Sequence, residues 1–364
     1  MTDSTLPDSS DFTTKVLDWH ERHGRRNLPW HAQKNPYLIW VSEIMLQQTQ
    51  VATVIPFYQD FIRKFPDIHA LAEAELDEVM VQWSGLGYYT RARNLHKAAR
   101  KICDDHDGHF PETLSEVMRL PGIGRSTAGA ILAFSRNARH PILDGNVKRV
   151  LSRYHAVEGT PGKQKTENRL WALADQHTPA DRIAEYTQAI MDLGALICRG
   201  RNPPCKECPV ASGCLAYAQD RVASFPARKP KKPRPLKSCR MLLLRRSDGF
   251  VLLCKRPNQG VWGGLWSLPQ LDDPELDVNQ YCREMFDCEI TSLNSLDRIR
   301  HGFSHYELEI KPILCEINVP ETIQMDGDHG YIWHDPKYPA TAGLPTAIKR
   351  VLALMKKIDT NQSA

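Results

Sequence analysis

The chain has 364 residues, 41% of them hydrophobic, and a formal net charge of +4; it is too long for one ordinary core and has apolar residues enough to fill two. Its N-terminus, MTDSTLPDSSDF, lacks the basic and apolar regions of an export signal, and no later stretch approaches the roughly 18 uninterrupted apolar residues of a membrane span. The protein is therefore expected to be soluble and unexported, and the mild basic excess permits a polyanionic partner without demanding one.

Up to about residue 220, apolar residues recur at intervals of three and four, and capping or breaking residues separate the segments. The spacing predicts helices over Ser10 to His23, Pro36 to Gln47, Thr90 to Asp104, Thr113 to Arg119, Ser126 to Ser135, Asn146 to His155, Thr166 to Gln176 and Ala180 to Ile197. On the second of these, Glu43 shares a face with Trp40 and Gln47 and sits between Val41 and Ile44-Met45-Leu46. A carboxyl in such surroundings is expected to keep its proton above the usual carboxylate range, unless it is a plain surface glutamate. Leu120-Pro121-Gly122-Ile123-Gly124 joins two helical patterns. Its glycines allow backbone amides to turn outward at the next helix start, where they bind a phosphate or merely connect helices. Twenty residues on, Asp144-Gly145-Asn146 again sets an acid and a glycine before a helix. Amide hydrogens there favour an ionised Asp144, as an N-cap, as a charge offered to a ligand, or as both.

The chain has ten cysteines, and Cys198, Cys205, Cys208 and Cys214 follow the spacing C-x6-C-x2-C-x5-C. This crowding is unlike the scattered framework of a small secreted domain and fits a metal centre in a reducing compartment. Four thiolates so spaced can surround one centre, iron-sulfur or zinc, and spacing alone leaves the metal open. From Arg221 to Arg246 there are ten Lys or Arg and no Asp or Glu, and SFPARKPKKPRPL within this block is Pro-rich with little to bury. An extended, solvated linker is predicted at residues 224–237, between domains at 1–223 and 238–364. Beyond it, CRMLLLRR and FVLLCKRP flank Ser247-Asp248-Gly249 as two strands around a turn. Further strands are predicted near Leu308 to Ile317 and Tyr331 to Trp333, with a closing helix from Thr346 to Lys357.

The hairpin, the following Asp and the cysteine cluster together resemble the helix-hairpin-helix DNA glycosylase superfamily that includes endonuclease III. Within it the chain is most similar to MutY-type adenine DNA glycosylases. That resemblance rests on LPW (Leu28 to Trp30), WVSEIMLQQTQV (Trp40 to Val51), WSGLGYYTRARNL (Trp83 to Leu95), LPGIGRSTAGAI (Leu120 to Ile131) and LDGNVKRV (Leu143 to Val150). In the second domain it rests on GVWGGLWSLPQ (Gly260 to Gln270) and FSH (Phe303 to His305).

The resemblance implies a multidomain fold: an all-α helix-hairpin-helix glycosylase domain with a [4Fe-4S] cluster loop, plus an α+β Nudix-like C-terminal domain. It implies one [4Fe-4S] cluster on the four cysteines. It also implies a monofunctional glycosylase of base excision repair, hydrolysing the bond of adenine opposite 8-oxoguanine or guanine in duplex DNA. A cytoplasmic location is expected from the lack of export signals, and a monomer from a sequence that suggests no self-association surface. Strand-cutting relatives carry a nucleophilic Lys two residues beyond the second hairpin glycine; here that position is Ser126, whose hydroxyl cannot form a Schiff base. A bifunctional endonuclease III-like glycosylase/lyase and a non-catalytic lesion-binding module stand as alternatives.

In this chemistry Glu43 protonates adenine N7, Asp144 faces the positive charge developing at the sugar C1′, and Asn146 holds Asp144 or the sugar. Gln48, Thr49, Leu86 and Tyr88 match family positions that wedge beside the flipped base, and Gly122, Gly124 and Ser126 match the DNA-binding hairpin. Arg26, Leu28, Trp30, His31, Leu46, Val51, Gln188 and Met191 match the adenine pocket, although the family often has Arg and Glu at 31 and 188. Phe303-Ser304-His305 matches the loop that contacts the oxidised guanine, with Ser304 and His305 toward the DNA. No G-x5-E-x7-R-E-x2-E-E run gathers carboxylates around Mg2+, so the second domain is expected to inspect nucleotides rather than hydrolyse them.

Overall fold

The computed structural model describes residues 9–227, 233–303, 305–318, 330–338 and 342–362, with residues 9, 10 and 356–362 described by their backbone alone. It divides into two compact units, one of Met1–Glu73 with Asn94–Lys231, the other of Ala74–Arg93 with Lys232–Ala364.

The first unit is helical. It contains α1 (Ser9–His23), α2 (Pro36–Leu46), α3 (Val51–Lys64) and α4 (Ile68–Glu73), while α5 (Leu76–Trp83) belongs to the second unit. There follow α6 (Thr90–His106), α7 (Leu114–Met118), α8 (Arg125–Arg136), α9 (Gly145–Tyr154), α10 (Gln164–His177), α11 (Ile183–Asp192) and α12 (Leu215–Ala218). Pro36 at the first turn and the Asn35 side chain, which accepts the Tyr37 N–H at 2.9 Å, start α2. That helix buries Ile39, Trp40, Val41, Ile44 and Met45 and packs on α8, whose Ala128 to Phe134 are all buried. Each such large apolar side chain contributes about 1.5 to 3 kcal/mol.

The periodicity gave no prediction for α3, which carries Pro56 in its interior and the β-branched Val51, Thr53, Val54 and Ile55, all weak helix formers. Its buried face of Val54, Tyr58 and Phe61 stabilises it through tertiary packing. The helix expected to run to Ile197 is α only to Asp192; Leu193–Ile197 widen into a π turn. The expected linker is anchored where it begins: Phe225 is buried, and its carbonyl accepts Arg153 Nε at 3.0 Å.

The second unit holds β1 (Leu236–Arg245), β2 (Val251–Lys255), β3 (Trp266–Ser267), β4 (Gln270–Leu271), α13 (Val278–Phe286), β5 (Glu289–Ser295), β6 (Ile299–Gly302), β7 (Glu307–Asn318), β8 (Tyr331–His334) and α14 (Thr346–Gln362). The sheet order is β3-β2-β1-β7-β5, with β4 also beside β1, β6 beside β7 and β8 beside β2. β1 and β2 form the expected antiparallel pair, turning at Gly249 with φ +89°. β1 and β7 run parallel, from Leu236 opposite Glu307 to Arg245 opposite Glu316, and the consecutive buried residues Met241 to Leu244 reflect a strand covered on both faces. α13 lays Val278, Cys282 and Phe286 on Leu242, Leu244, Leu252 and Ile313. β5 is nearly all exposed and polar, so its sequence carried no strand signal; pairing with β7 makes it a strand.

Candidate active site

An open cleft of about 2170 Å³ lies in the first unit. The end of α2 supplies Glu43 and Leu46, the next turn Gln48 and Thr49, the start of α3 Val51, and the start of α8 supplies Ser126. The start of α9 adds Asp144 and Asn146, α11 adds Gln188 and Met191, and Leu28 and Trp30 complete the wall. Residues from Leu28 to Met191 are therefore gathered around one cleft by helix packing.

Asp144 caps α9 with an extended backbone, φ −76° and ψ −178°. Its Oδ1 accepts the N–H groups of Asn146 at 3.0 Å and Val147 at 2.8 Å, and its Oδ2 accepts Asn146 Nδ2 at 3.2 Å. Burial pushes its acidity the other way, and the net shift is upward despite these hydrogen bonds. The helix-start amides thus act in the expected direction, toward the ionised form, and desolvation outweighs them. Glu43 is pushed up to about 8, first by burial and second by the Asp144 charge. One carboxyl holds a proton at neutral pH while its neighbour collects hydrogen-bond donors, an arrangement suited to paired acid and electrostatic roles.

Sequence reasoning named Asn146 as a holder of Asp144 and Ser126 as a hairpin residue, but missed the backbone anchor that Ser126 makes and the parts played by Arg149 and Gly194. Ser126 Oγ accepts the Leu143 N–H at 2.9 Å, pinning the backbone immediately before Asp144. Arg149 donates to Asn146 Oδ1 at 2.8 Å, to the Gly194 carbonyl at 2.6 Å and to the Cys198 carbonyl at 2.6 Å. Gly194 is needed for close approach, because a Cβ there would lie 2.6 Å from the Asn146 Cβ. The placement of Arg149 three residues beyond Asn146 on a helix was the available signal.

The fully buried Asp192 organises the far wall: it accepts Arg25 N at 2.7 Å, Arg25 Nη2 at 2.6 Å and Gln188 Nε2 at 2.6 Å. Arg25 lines the cleft, whereas Arg26 is exposed and donates to the Glu21 carbonyl, which corrects the placement expected for Arg26. His31 packs on Phe134 outside the cleft wall, and burial lowers its pKa to about 4.

In the hairpin, Gly122 has φ +79°, and a Cβ there would meet the Asn94 Cβ at 2.8 Å. A Cβ on Gly124, the N-cap of α8, would meet nothing within 4 Å, so that helix start is open to an approaching group.

Cys198, Cys205, Cys208 and Cys214 line one cavity of about 410 Å³ with Val150, Tyr154, Leu193 and Val210. All four are free thiols, Arg153 Nη1 lies 3.3 Å from Cys198 Sγ, and burial pushes Cys208 up to about 12. A thiol so buried as Cys208 ionises only against a compensating positive charge, and soft sulfur donors around an apolar cavity fit an iron-sulfur group. Among the described residues no three His, Cys, Asp or Glu converge on a single metal ion.

In the second unit, Leu86 is buried beneath a turn with positive φ at Gly85, Gly87 and Tyr88, and Tyr88 is 51% exposed. Phe303 N–H donates to the Tyr306 carbonyl at 2.8 Å, and the Phe303 ring packs on Trp262, His301 and Tyr306. His305 is exposed with its ring 4.8 Å from that of Tyr306; Ser304 lies outside the described residues.

A hairpin leading one helix, a carboxylate capping the next and a four-cysteine loop define a base excision DNA repair protein of the HhH-GPD superfamily, whose family model matches residues 41–176. A NUDIX domain matches residues 240–354. The chain belongs to the adenine DNA glycosylase family: it is 39% identical over 350 residues to the adenine DNA glycosylase of Buchnera aphidicola subsp. Baizongia pistaciae, covering 96% of this chain and 98% of that one. It is 32% identical to the Homo sapiens adenine DNA glycosylase, over 93% of this chain and 73% of that one. Among solved structures, a thermostable thymine-DNA glycosylase superposes with a TM-score of 0.54 at 26% identity, over 60% of this chain and all of that one. Endonuclease III in a non-covalent DNA complex shares the fold, with a TM-score of 0.52 at 19% identity over 59% of this chain and 98% of that one. Among the described residues no helix is long and apolar enough to cross a membrane.

Proposed function

We propose that this chain removes adenine paired with 8-oxoguanine or guanine from duplex DNA, releasing the free base and leaving an abasic site. The observation that carries this reading is the Glu43 and Asp144 pair in one cleft, with Glu43 raised to about 8. Flipped adenine enters the cleft between Trp30, Leu46 and Met191. Glu43 gives its proton to N7, so the base leaves neutral as the C1′–N9 bond breaks, and Asp144 stabilises the oxocarbenium-like sugar until water adds at C1′ and returns a proton to the Glu43 carboxylate. Asn146 and Ser126 hold Asp144 in place, and the hydroxyl of Ser126 offers no amine for lyase chemistry. The open start of α8 receives a DNA phosphate, and Tyr88 and Gln48 brace the emptied stack.

The four cysteines would hold one [4Fe-4S] cluster, which supplies a rigid, electron-rich anchor for the loop from Cys198 to Cys214. What supports a cluster is that all four thiols line one apolar cavity, together with the family resemblance carried by their spacing. The NUDIX domain inspects the opposite base through the Phe303-Ser304-His305 segment.

The test is single-turnover adenine release from a duplex with one A:8-oxoguanine pair, comparing wild type with Glu43→Gln. A general acid contributes roughly 100- to 10,000-fold, so the variant should bind the duplex and release adenine slower by that order. A cluster-loaded wild type that releases nothing from A:8-oxoguanine or A:G would sink the reading in favour of a lesion-binding module.

A further inference from the structure

Residues 74–93 lie in the helical part of the sequence, yet they form one compact unit with the NUDIX domain. The contacts that make this so are specific. Asp77, in the first turn of α5, accepts Trp266 Nε1 at 3.3 Å and Lys255 Nζ at 2.9 Å, and Trp266 is only 5% exposed. A buried indole N–H needs an acceptor, and Asp77 is the one it has. The backbone of Met80 approaches Gly343 so closely that a Cβ on the glycine would lie 3.1 Å from the Met80 carbonyl carbon and 3.0 Å from Leu265 Cδ2. Ser84 Oγ donates to the Leu344 carbonyl at 2.7 Å, and Arg93 donates to the Gly263 carbonyl. The run GVWGGLWSLPQ thereby acquires a structural role: Gly263, Leu265 and Trp266 seat the segment that carries Tyr88.

The turn after α5 is built from within. Trp83 Nε1 donates to the Gly87 carbonyl at 3.2 Å, and Arg91 Nη2 donates to the same carbonyl at 3.0 Å while its guanidinium lies over the Trp83 and Tyr88 rings. Ser84 closes α5 and opens this turn, so its bond to Leu344 is the last attachment before Tyr88.

We propose that the C-terminal part of the second unit positions the Gly85 to Tyr88 turn through α5, with Asp77 and Ser84 as positioning residues. In this way it tunes discrimination of the base opposite the target adenine. The inference rests on the proposed reading of Tyr88 as a brace beside the opened base pair, and deepens it: the domain that reads the opposite base also holds the aromatic that enters the stack. Asp77 and Ser84 themselves touch no DNA in this account.

The experiment uses full-length, cluster-loaded protein carrying Asp77→Ala, Ser84→Ala, Tyr88→Ala or pairs of these. Two quantities are read: amide hydrogen exchange at residues 85–88 without DNA, and the ratio of single-turnover adenine release from A:8-oxoguanine over A:G. Asp77→Ala and Ser84→Ala should each speed the exchange and lower the ratio by roughly threefold or more, the scale of coupling between contacting residues. Neither should lower the ratio further in a Tyr88→Ala background. Ser84→Ala removes one hydroxyl and stays informative if Asp77→Ala misfolds. Unchanged exchange in the folded variants overturns the positioning, and an unchanged ratio, or effects additive with Tyr88→Ala, overturns its role in specificity. Should the wild type release no adenine, the reading of the active site fails, while hydrogen exchange still decides the positioning.

Discussion

Glu43 and Asp144 are both carboxyls under desolvation, and what separates them is the company each keeps. Three donors converge on Asp144, whereas Glu43 meets burial and then the Asp144 charge, which lifts its pKa from 4.5 to about 8. Base removal that needs the Glu43 proton is expected to slow about tenfold per pH unit above its pKa, and a rate flat from pH 7 to 10 would exclude this acid. The same shift has a stability consequence. Between pH 4.5 and about 8 the folded state binds a proton that the unfolded state has released, so stability falls as pH rises through that window. Glu43→Gln should therefore raise the Tm relative to wild type at pH 8.5 and lose that advantage near pH 4.5. Ser126→Ala frees the backbone before Asp144 and should slow adenine release by roughly 2- to 13-fold, the worth of one hydrogen bond, with the cluster absorbance unchanged. The apolar neighbours of Glu43 and the helix start at Asp144 were legible in sequence. Ser126 was legible as a hairpin residue and as the absence of a lysine, but not as the anchor of Leu143, because that bond spans 17 residues of chain.

The π turn from Leu193 to Ile197 is the element on which two sites meet. It carries Gly194 against Asn146 and ends at Cys198, whose carbonyl accepts Arg149. A methyl at 194 must push the turn from α9, so Gly194→Ala is expected to slow adenine release at least tenfold and to cost about 1 to 3 kcal/mol of stability, as overpacking does. Single-turnover kinetics and thermal melts check both, and wild-type rates in the variant would show that the close approach is dispensable. Periodicity extended the helix to Ile197 without the widening, since one extra residue in a turn leaves the apolar spacing almost intact. It likewise left out α3, whose Pro56 and β-branched residues contradict a helix until Val54, Tyr58 and Phe61 find their partners.

For the molecule as a whole, the four-cysteine loop joins α11 to the stretch that ends at the buried Phe225, and Arg153 ties Cys198, Arg199 and Phe225 together. On the proposed cluster reading, losing that group would empty the cavity the four cysteines line and loosen the anchor that Arg149 finds on the Cys198 carbonyl. Cys208→Ala or oxidative cluster loss should therefore weaken DNA binding and adenine release together, measured alongside cluster absorbance and thermal stability. Full activity without the cluster absorbance would refute that dependence.

Much of this protein was settled by its sequence, because the deciding interactions are local. Helix period, the Gly-rich hairpin, the acid before α9 and four closely spaced thiols each need only a few neighbouring residues to be recognised. The assignment of function drew on family resemblance carried by those same short runs. Tertiary structure alone decided what depends on distant partners: the parallel pairing of β1 with β7, strand formation in the polar β5, and Arg25 rather than Arg26 in the cleft. It also decided that residues 74–93 join the NUDIX domain, because Asp77, Met80 and Ser84 find their partners at Trp266, Gly343 and Leu344. No periodicity records an acceptor nearly 190 residues from its donor.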